Sequence, residues 1–131
     1  MIKILIVEDD FDLCETYVDI LENEGHDLVA ISTCAQAIEC LIRNRMKPDV
    51  VILDLNLSGE SGLIVLGLIR RLPKLVNTKV IIASGYEEDE RSQEVMREGA
   101  LLYLRKPFLI QKMLEAVRMA VNYADTVEFR S

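Results

Sequence analysis

The stretch Asp49-Val50-Val51-Ile52-Leu53-Asp54-Leu55-Asn56-Leu57-Ser58-Gly59 runs four apolar residues straight into a carboxylate and then into a loop. A strand that is apolar at every position is covered on both faces, as in a parallel sheet between helices, so Asp54 marks where the chain emerges. Ligands of such open sheets bind at the carboxyl ends of the strands. Asp54 therefore stands where chemistry sits. The plainer reading is an aspartate that begins a turn, as many do after strands.

Working outward, the same grammar recurs at the start of the chain, where an apolar run over 2–7 ends in Glu8, Asp9 and Asp10. Apolar residues at helical spacing (Leu13, Cys14, Tyr17, Val18, Ile20, Leu21) predict a helix over 11–24 with Gly25 as its C-terminal cap. A second strand is expected over 27–31. A second helix follows over 35–45 with Ala37, Ile38, Leu41 and Ile42 inward, stopping before Pro48. Beyond Asp54, a helix over 62–72 ends at Pro73. The fourth strand, 79–83, leads through Ser84-Gly85-Tyr86 to a helix over 87–98 whose strong apolar anchors are only Val95 and Met96. A fifth strand over 101–104, the turn Lys106-Pro107 and a last helix over 108–123 complete the pattern. Residues 124–131 show no periodicity and read as a frayed tail beyond a single domain at 1–123.

Five strand–helix units with right-handed crossovers give an α/β fold: a doubly wound, five-stranded parallel sheet of flavodoxin-like order 2-1-3-4-5, helices on both faces. Its switch point lies between the first and third strands. Fold physics alone thus brings Glu8, Asp9 and Asp54 into one crevice.

Composition narrows the function. At 131 residues the chain fits one domain, and its net charge of −7 argues against direct nucleic-acid binding, which relies on cationic contacts to phosphate. No apolar run approaches the ~18 residues of a membrane span, and the short N-terminal run is no signal peptide, so a cytoplasmic protein is expected. Cys14, Cys34 and Cys40 have neither metal-ligand spacing nor an even count. His26, the single histidine, sits at a turn and reads as structural.

Three converging carboxylates repel one another unless a cation joins them, and magnesium, with its preference for oxygen ligands, few carboxylates and retained water, fits. The alternative is a solvated acidic rim. Ser84 and Lys106 end the fourth and fifth strands on the same edge and add a hydroxyl and an ammonium. A cation, a lysine and a hydroxyl around a carboxylate are what phosphoryl transfer onto that carboxylate needs.

With Glu8-Asp9 after the first strand, the Asp54 loop with Gly59 and Gly62, Ser84-Gly85-Tyr86 and Lys106-Pro107-Phe108 in this order, the chain resembles the receiver domains of two-component response regulators over about residues 2–121. The resemblance implies that Asp54 accepts a phosphoryl group from a histidine kinase or phosphotransfer protein. It implies Asp9, Asp54 and the Asn56 carbonyl as Mg2+ ligands, with Glu8 acting through water, and Ser84 and Lys106 on the phosphoryl oxygens. It also implies a cis Lys106-Pro107 bond, a switch linking Ser84 to Tyr103, and a helix 4/strand 5/helix 5 face that serves targets or a homodimer. Ser58 departs from the pattern, standing where the family commonly has proline. The start at Met1, with the strand at Ile2, favours a natural N-terminus.

A flavin-type cofactor binder is disfavoured by the acidic first loop, which repels phosphate. An aspartyl phosphatase is disfavoured by Asn56, which stands where such enzymes place a second acid. A receiver that only binds partners is disfavoured because nothing needed for phosphorylation is missing. On the last helix, Ile110, Met113, Leu114, Val117 and Val121 form a stripe for the sheet, while Leu109, Ala116, Ala120 and Tyr123, flanked by Met119, form a second face left for a partner.

Overall fold

The computed structural model describes residues 2–85 and 90–130, with side chains described over 2–85 and 93–123. The apolar runs form a parallel sheet of five strands, the inner ones buried: β1 Lys3–Val7, β2 Asp27–Ile31, β3 Val50–Leu53, β4 Lys79–Ser84 and β5 Leu102–Arg105. Their order is β2-β1-β3-β4-β5, the expected doubly wound topology. The helices are α1 Phe11–Asn23, α2 Cys34–Ile38 continued by a π-helical turn Glu39–Arg43, α3 Leu63–Arg71, α4 Glu90–Arg97 and α5 Ile110–Arg130.

All four residues of β3 are buried, and they alternate between two cores. Val51 and Leu53 face a cluster containing Ala37 and Leu41 of α2, Val65, Leu66 and Ile69 of α3, and Val95 of α4. Val50 and Ile52 face a second cluster built from Tyr17 and Leu21 of α1 and Met113, Val117 and Ala120 of α5. Full burial on both sides is what made this strand readable as central.

The register sets up the crevice. Val7 pairs with Leu53, and Leu53 with Ile82, so Glu8 and Asp54 are each the first residue beyond a paired strand end. Ser84 pairs with Arg105, which puts Lys106 one residue past the end of β5.

Four expectations need correction. Ala37 and Leu41 of the second helix are buried, but Ile38 and Ile42 are 39% and 46% exposed. The wide turn, closed by Asn44 N–H donating to the Glu39 carbonyl at 3.0 Å, turns one column of side chains inward rather than two. The Asp54 loop is more ordered than a plain loop: Asn56–Leu57 and Glu60–Ser61 pair antiparallel as a small hairpin. The last helix runs on to Arg130 instead of ending near Tyr123, so 124–130 continues α5; the segment holds neither Pro nor Gly to stop it. On α5, Ala116 and Ala120 are buried, because their small side chains let the helix lie close to the sheet, while Leu109, Met119 and Tyr123 stay exposed. The helix expected over 87–98 is seen as Glu90–Arg97, and Tyr86 with 87–89 lies outside the described residues.

Candidate functional site

Each wall of the crevice is fixed by the backbone before any side chain acts. Asp54 N–H donates to the Val7 carbonyl at 3.0 Å, Glu8 N–H to the Ile31 carbonyl at 3.0 Å, and Lys106 N–H to the Ser84 carbonyl at 2.7 Å, so the loops grow out of the sheet ladder. The Lys106-Pro107 bond is cis, as the sequence resemblance implied. Gly62, at the start of α3, lies so close to the Asp54 main chain that a Cβ there would sit 2.2 Å from the Asp54 carbonyl oxygen.

Glu8, Asp9, Asp54, Asn56, Ser84 and Lys106, six residues singled out in the sequence, line one cavity of about 320 Å³ together with Asp10 and Gly85. Glu8, Asp9 and Asp54 each bring a carboxylate oxygen within 4.8 Å of the others. Lys106 Nζ bridges two of them, 2.7 Å from Glu8 Oε1 and 2.8 Å from Asp54 Oδ2. Asp54 Oδ1 accepts from the Asn56 backbone N–H at 3.0 Å. Ser84 is buried, and among the described residues its Oγ has no hydrogen-bond partner.

The three acids after β1 divide their work. Asp10 caps α1, its carboxylate accepting from Leu13 N–H at 3.1 Å. Glu8 is buried and accepts from Asp10 N–H at 3.2 Å; desolvation pushes its carboxyl up to about 7, against the pull of the Lys106 hydrogen bond. Desolvation acts upward on Asp9 too, but hydrogen bonds from Ser58 outweigh it and hold the group below its ordinary value. Burial pulls the Lys106 ammonium down, yet Asp54 and Glu8 together more than compensate and leave it raised.

Carboxylate oxygens gathered around an open cavity are hard donors of the kind that hold divalent cations, and the Lys106 ammonium already offsets part of their charge. Glu8, Asp9 and Asp54 are the group that could hold a metal ion, each offering one carboxylate oxygen. Tyr103 is not among the residues lining this cavity; half-buried on β5, it packs against the core on the α2/α3 side. Sequence reasoning missed two participants. Asp10 was seen only as a third acid, though an Asp three residues before Leu13 is an ordinary N-cap signal. Ser58 was seen only as a departure from a pattern, and its contact with Asp9, 49 positions away, leaves no local signal.

Comparison with known proteins agrees with the fold. The model of the response regulator receiver domain family matches residues 4–118, and the chain belongs to that family. The response regulator protein FleR of Pseudomonas aeruginosa is 40% identical over 116 residues, covering 88% of this chain and 24% of that protein. Sporulation initiation phosphotransferase F of Bacillus subtilis is 31% identical over 116 residues, covering 88% of this chain and 90% of that one. The chain thus spans about a quarter of one relative and nearly all of the other. Among solved structures, a response regulator receiver domain protein from Clostridium thermocellum superposes with a TM-score of 0.85 at 28% identity, covering 97% of this chain and 99% of that one. A CheY-like receiver domain protein from Methanospirillum hungatei (TM-score 0.87, 24% identity, covering 96% and 98%) shares the fold. As a receiver domain, the chain is not an enzyme in the usual sense. Among the described residues, no helix is long and apolar enough to cross a membrane.

Proposed function

We propose that this receiver domain, residues 1–123, takes a phosphoryl group onto Asp54 from a histidine kinase or phosphotransfer protein and passes the signal on by changing its surface. The observation that carries this reading is Ser84 Oγ, buried without a partner among the described residues, in the cavity that also holds the Asp54–Lys106 pair. A buried hydroxyl with nothing to bond calls for an explanation, and a phosphoryl oxygen arriving on Asp54 supplies one. A carboxylate oxygen of Asp54 attacks phosphorus, the bond to the donor breaks, and the donor leaves with the electron pair. Ser84 Oγ and Lys106 Nζ donate to the transferred oxygens, and Asn56 N–H keeps the nucleophile oriented. Asp9, Asp54 and the Asn56 carbonyl, with Glu8 assisting through water, would hold magnesium, which would neutralise the phosphoryl charge.

Apart from promoting its own phosphorylation and dephosphorylation, the domain acts by binding. Ser84 drawn toward the phosphoryl group frees space for Tyr103, and α4, anchored by Val95 alone among its fully buried described residues, shifts with it. The face formed by α4, β5 and α5 then engages a target, an output domain or a second copy. A cytoplasmic location, with no direct binding to nucleic acid or membrane, accords with the net charge of −7.

Incubation with a small-molecule phosphodonor and magnesium, followed by intact-mass analysis, tests the assignment. One phosphoryl group is expected on the wild type and none on Asp54→Asn. The same adduct on that variant would show the acceptor to lie elsewhere.

A further inference from the structure

Ser58 and Gly59 form the two-residue turn of the hairpin Asn56–Leu57/Glu60–Ser61, with φ of 52° and 91°. Positive φ at both positions defines a turn in which Asn, Asp or Gly is preferred first and Gly second. Gly59 obeys the rule. Ser58 does not, and the turn alone gives no reason for a serine there.

The reason lies across the crevice. Ser58 N–H and Ser58 Oγ both donate to Asp9 Oδ2, each at 2.9 Å. The turn's geometry brings the amide to Asp9, but the second bond needs a hydroxyl, which none of the residues the turn prefers (Asn, Asp or Gly) can supply. Both bonds fall on one oxygen, which fixes the plane of the carboxylate and leaves Oδ1 as the oxygen the hairpin does not engage. The hairpin also carries Asn56, whose side-chain Oδ1 accepts from Gly59 N–H at 3.4 Å. One turn therefore ties together groups that come from two separate loops.

We infer that Ser58 is a positioning residue for the metal site: its hydroxyl and amide orient Asp9 for a divalent cation and hold the Asn56 hairpin in register with β1. Hydrogen bonds to the far side of a metal-binding group commonly set affinity by ten- to a hundredfold. This inference rests on the reading of the crevice as a magnesium-dependent phosphoacceptor site.

The test is a magnesium titration of the metal-free protein, followed by backbone amide shifts, on the wild type, Ser58→Gly and Ser58→Thr, with urea unfolding of each. Gly suits positive φ and lacks the hydroxyl; Thr keeps the hydroxyl and, being β-branched, suits positive φ poorly. Ser58→Thr should be the least stable of the three, because Ser58→Gly trades the hydroxyl's bond to Asp9 for relief of the positive φ, whereas Thr adds strain with no such relief. Magnesium affinity should run differently, about tenfold weaker in Ser58→Gly and within about threefold of wild type in Ser58→Thr. A merely structural role would make affinity follow stability, and that result overturns the inference. So does Ser58→Gly binding magnesium as tightly as the wild type, which leaves the reading of the crevice standing. Amides of Asp9, Asp54 and Asn56 that do not respond to magnesium in the wild type would overturn the crevice reading and the inference with it.

Discussion

Replacing Gly62 with alanine probes the packing that holds Asp54 in place. Gly62 has φ −63° and ψ −14°, an ordinary helical conformation, so backbone freedom does not explain the glycine. Space does. An added Cβ would stand 2.2 Å from the Asp54 carbonyl oxygen, 3.0 Å from Leu55 Cα and 3.1 Å from the Asp54 carbonyl carbon, all backbone atoms that cannot swing aside. Alanine gains about 0.4–1 kcal/mol by restricting the unfolded chain. As an N-cap it is poorer than glycine by a similar amount, so these terms nearly cancel. The steric cost remains, about 1–3 kcal/mol for overpacking and toward the upper end because backbone must move. For a domain of this length that corresponds to a melting temperature lower by roughly 8–10 °C. Urea unfolding and thermal melts measure it, with Gly67→Ala as the control. Cβ at that position would meet only the end of Arg71, at 3.1 Å, which can step away, so a small gain of about 0.4–1 kcal/mol is expected. Phosphorylation of Asp54 should also slow in Gly62→Ala. If Gly62→Ala matches the wild type within about 0.5 kcal/mol, the packing argument is wrong.

Three further outcomes follow from other parts of the structure. Glu8 has a folded-state pKa raised to about 7 from 4.5, so its contribution to stability is complete below the lower value and is lost as pH rises to the upper one. Melts of the metal-free wild type should fall more between pH 4.5 and 7 than those of Glu8→Gln, by at most about 3 kcal/mol, and equal slopes would exclude Glu8 as the source. Asp10→Ala removes the α1 N-cap and should cost about 1 kcal/mol in urea unfolding; no change would show the Leu13 amide to be satisfied otherwise. Leu109 and Met119 are 75% and 57% exposed, so Leu109→Glu with Met119→Glu should leave stability and Asp54 phosphorylation intact while weakening association of the phosphorylated protein in sedimentation velocity. Equal association of variant and wild type would remove this patch from the interface.

The parts of the fold that could be read from the sequence are those in which one local rule has no competitor. Val50–Leu53 is apolar on every residue and bounded by acids, and its boundaries agree with the structure. The crevice was legible because strand order is a property of topology, and topology places the ends of β1 and β3 side by side. Where two answers share one pattern, the sequence could not choose. Ile38 and Ile42 lie one step around the helix from Ala37 and Leu41, and only the width of the π turn decides which column faces the sheet. Ala116 and Ala120 read as a partner face because hydropathy ignores how closely a small residue lets two elements approach. Ser58 was invisible for a different reason, since its partner is in another loop and nothing local selects it.

The alternation of β3 between two separate clusters bears on how this protein can change over time. Val51 and Leu53 touch one set of helices and Val50 and Ile52 another, so the sheet is a partition between two rooms that share only a wall. Substitutions in groups that share no partners add nearly independently. The helices on one side can therefore drift and be repacked without forcing compensation on the other, and the strand ends that carry Glu8, Asp54 and Lys106 stay in place while new surfaces are tried. One scaffold can in this way acquire many listeners without relearning how to hear.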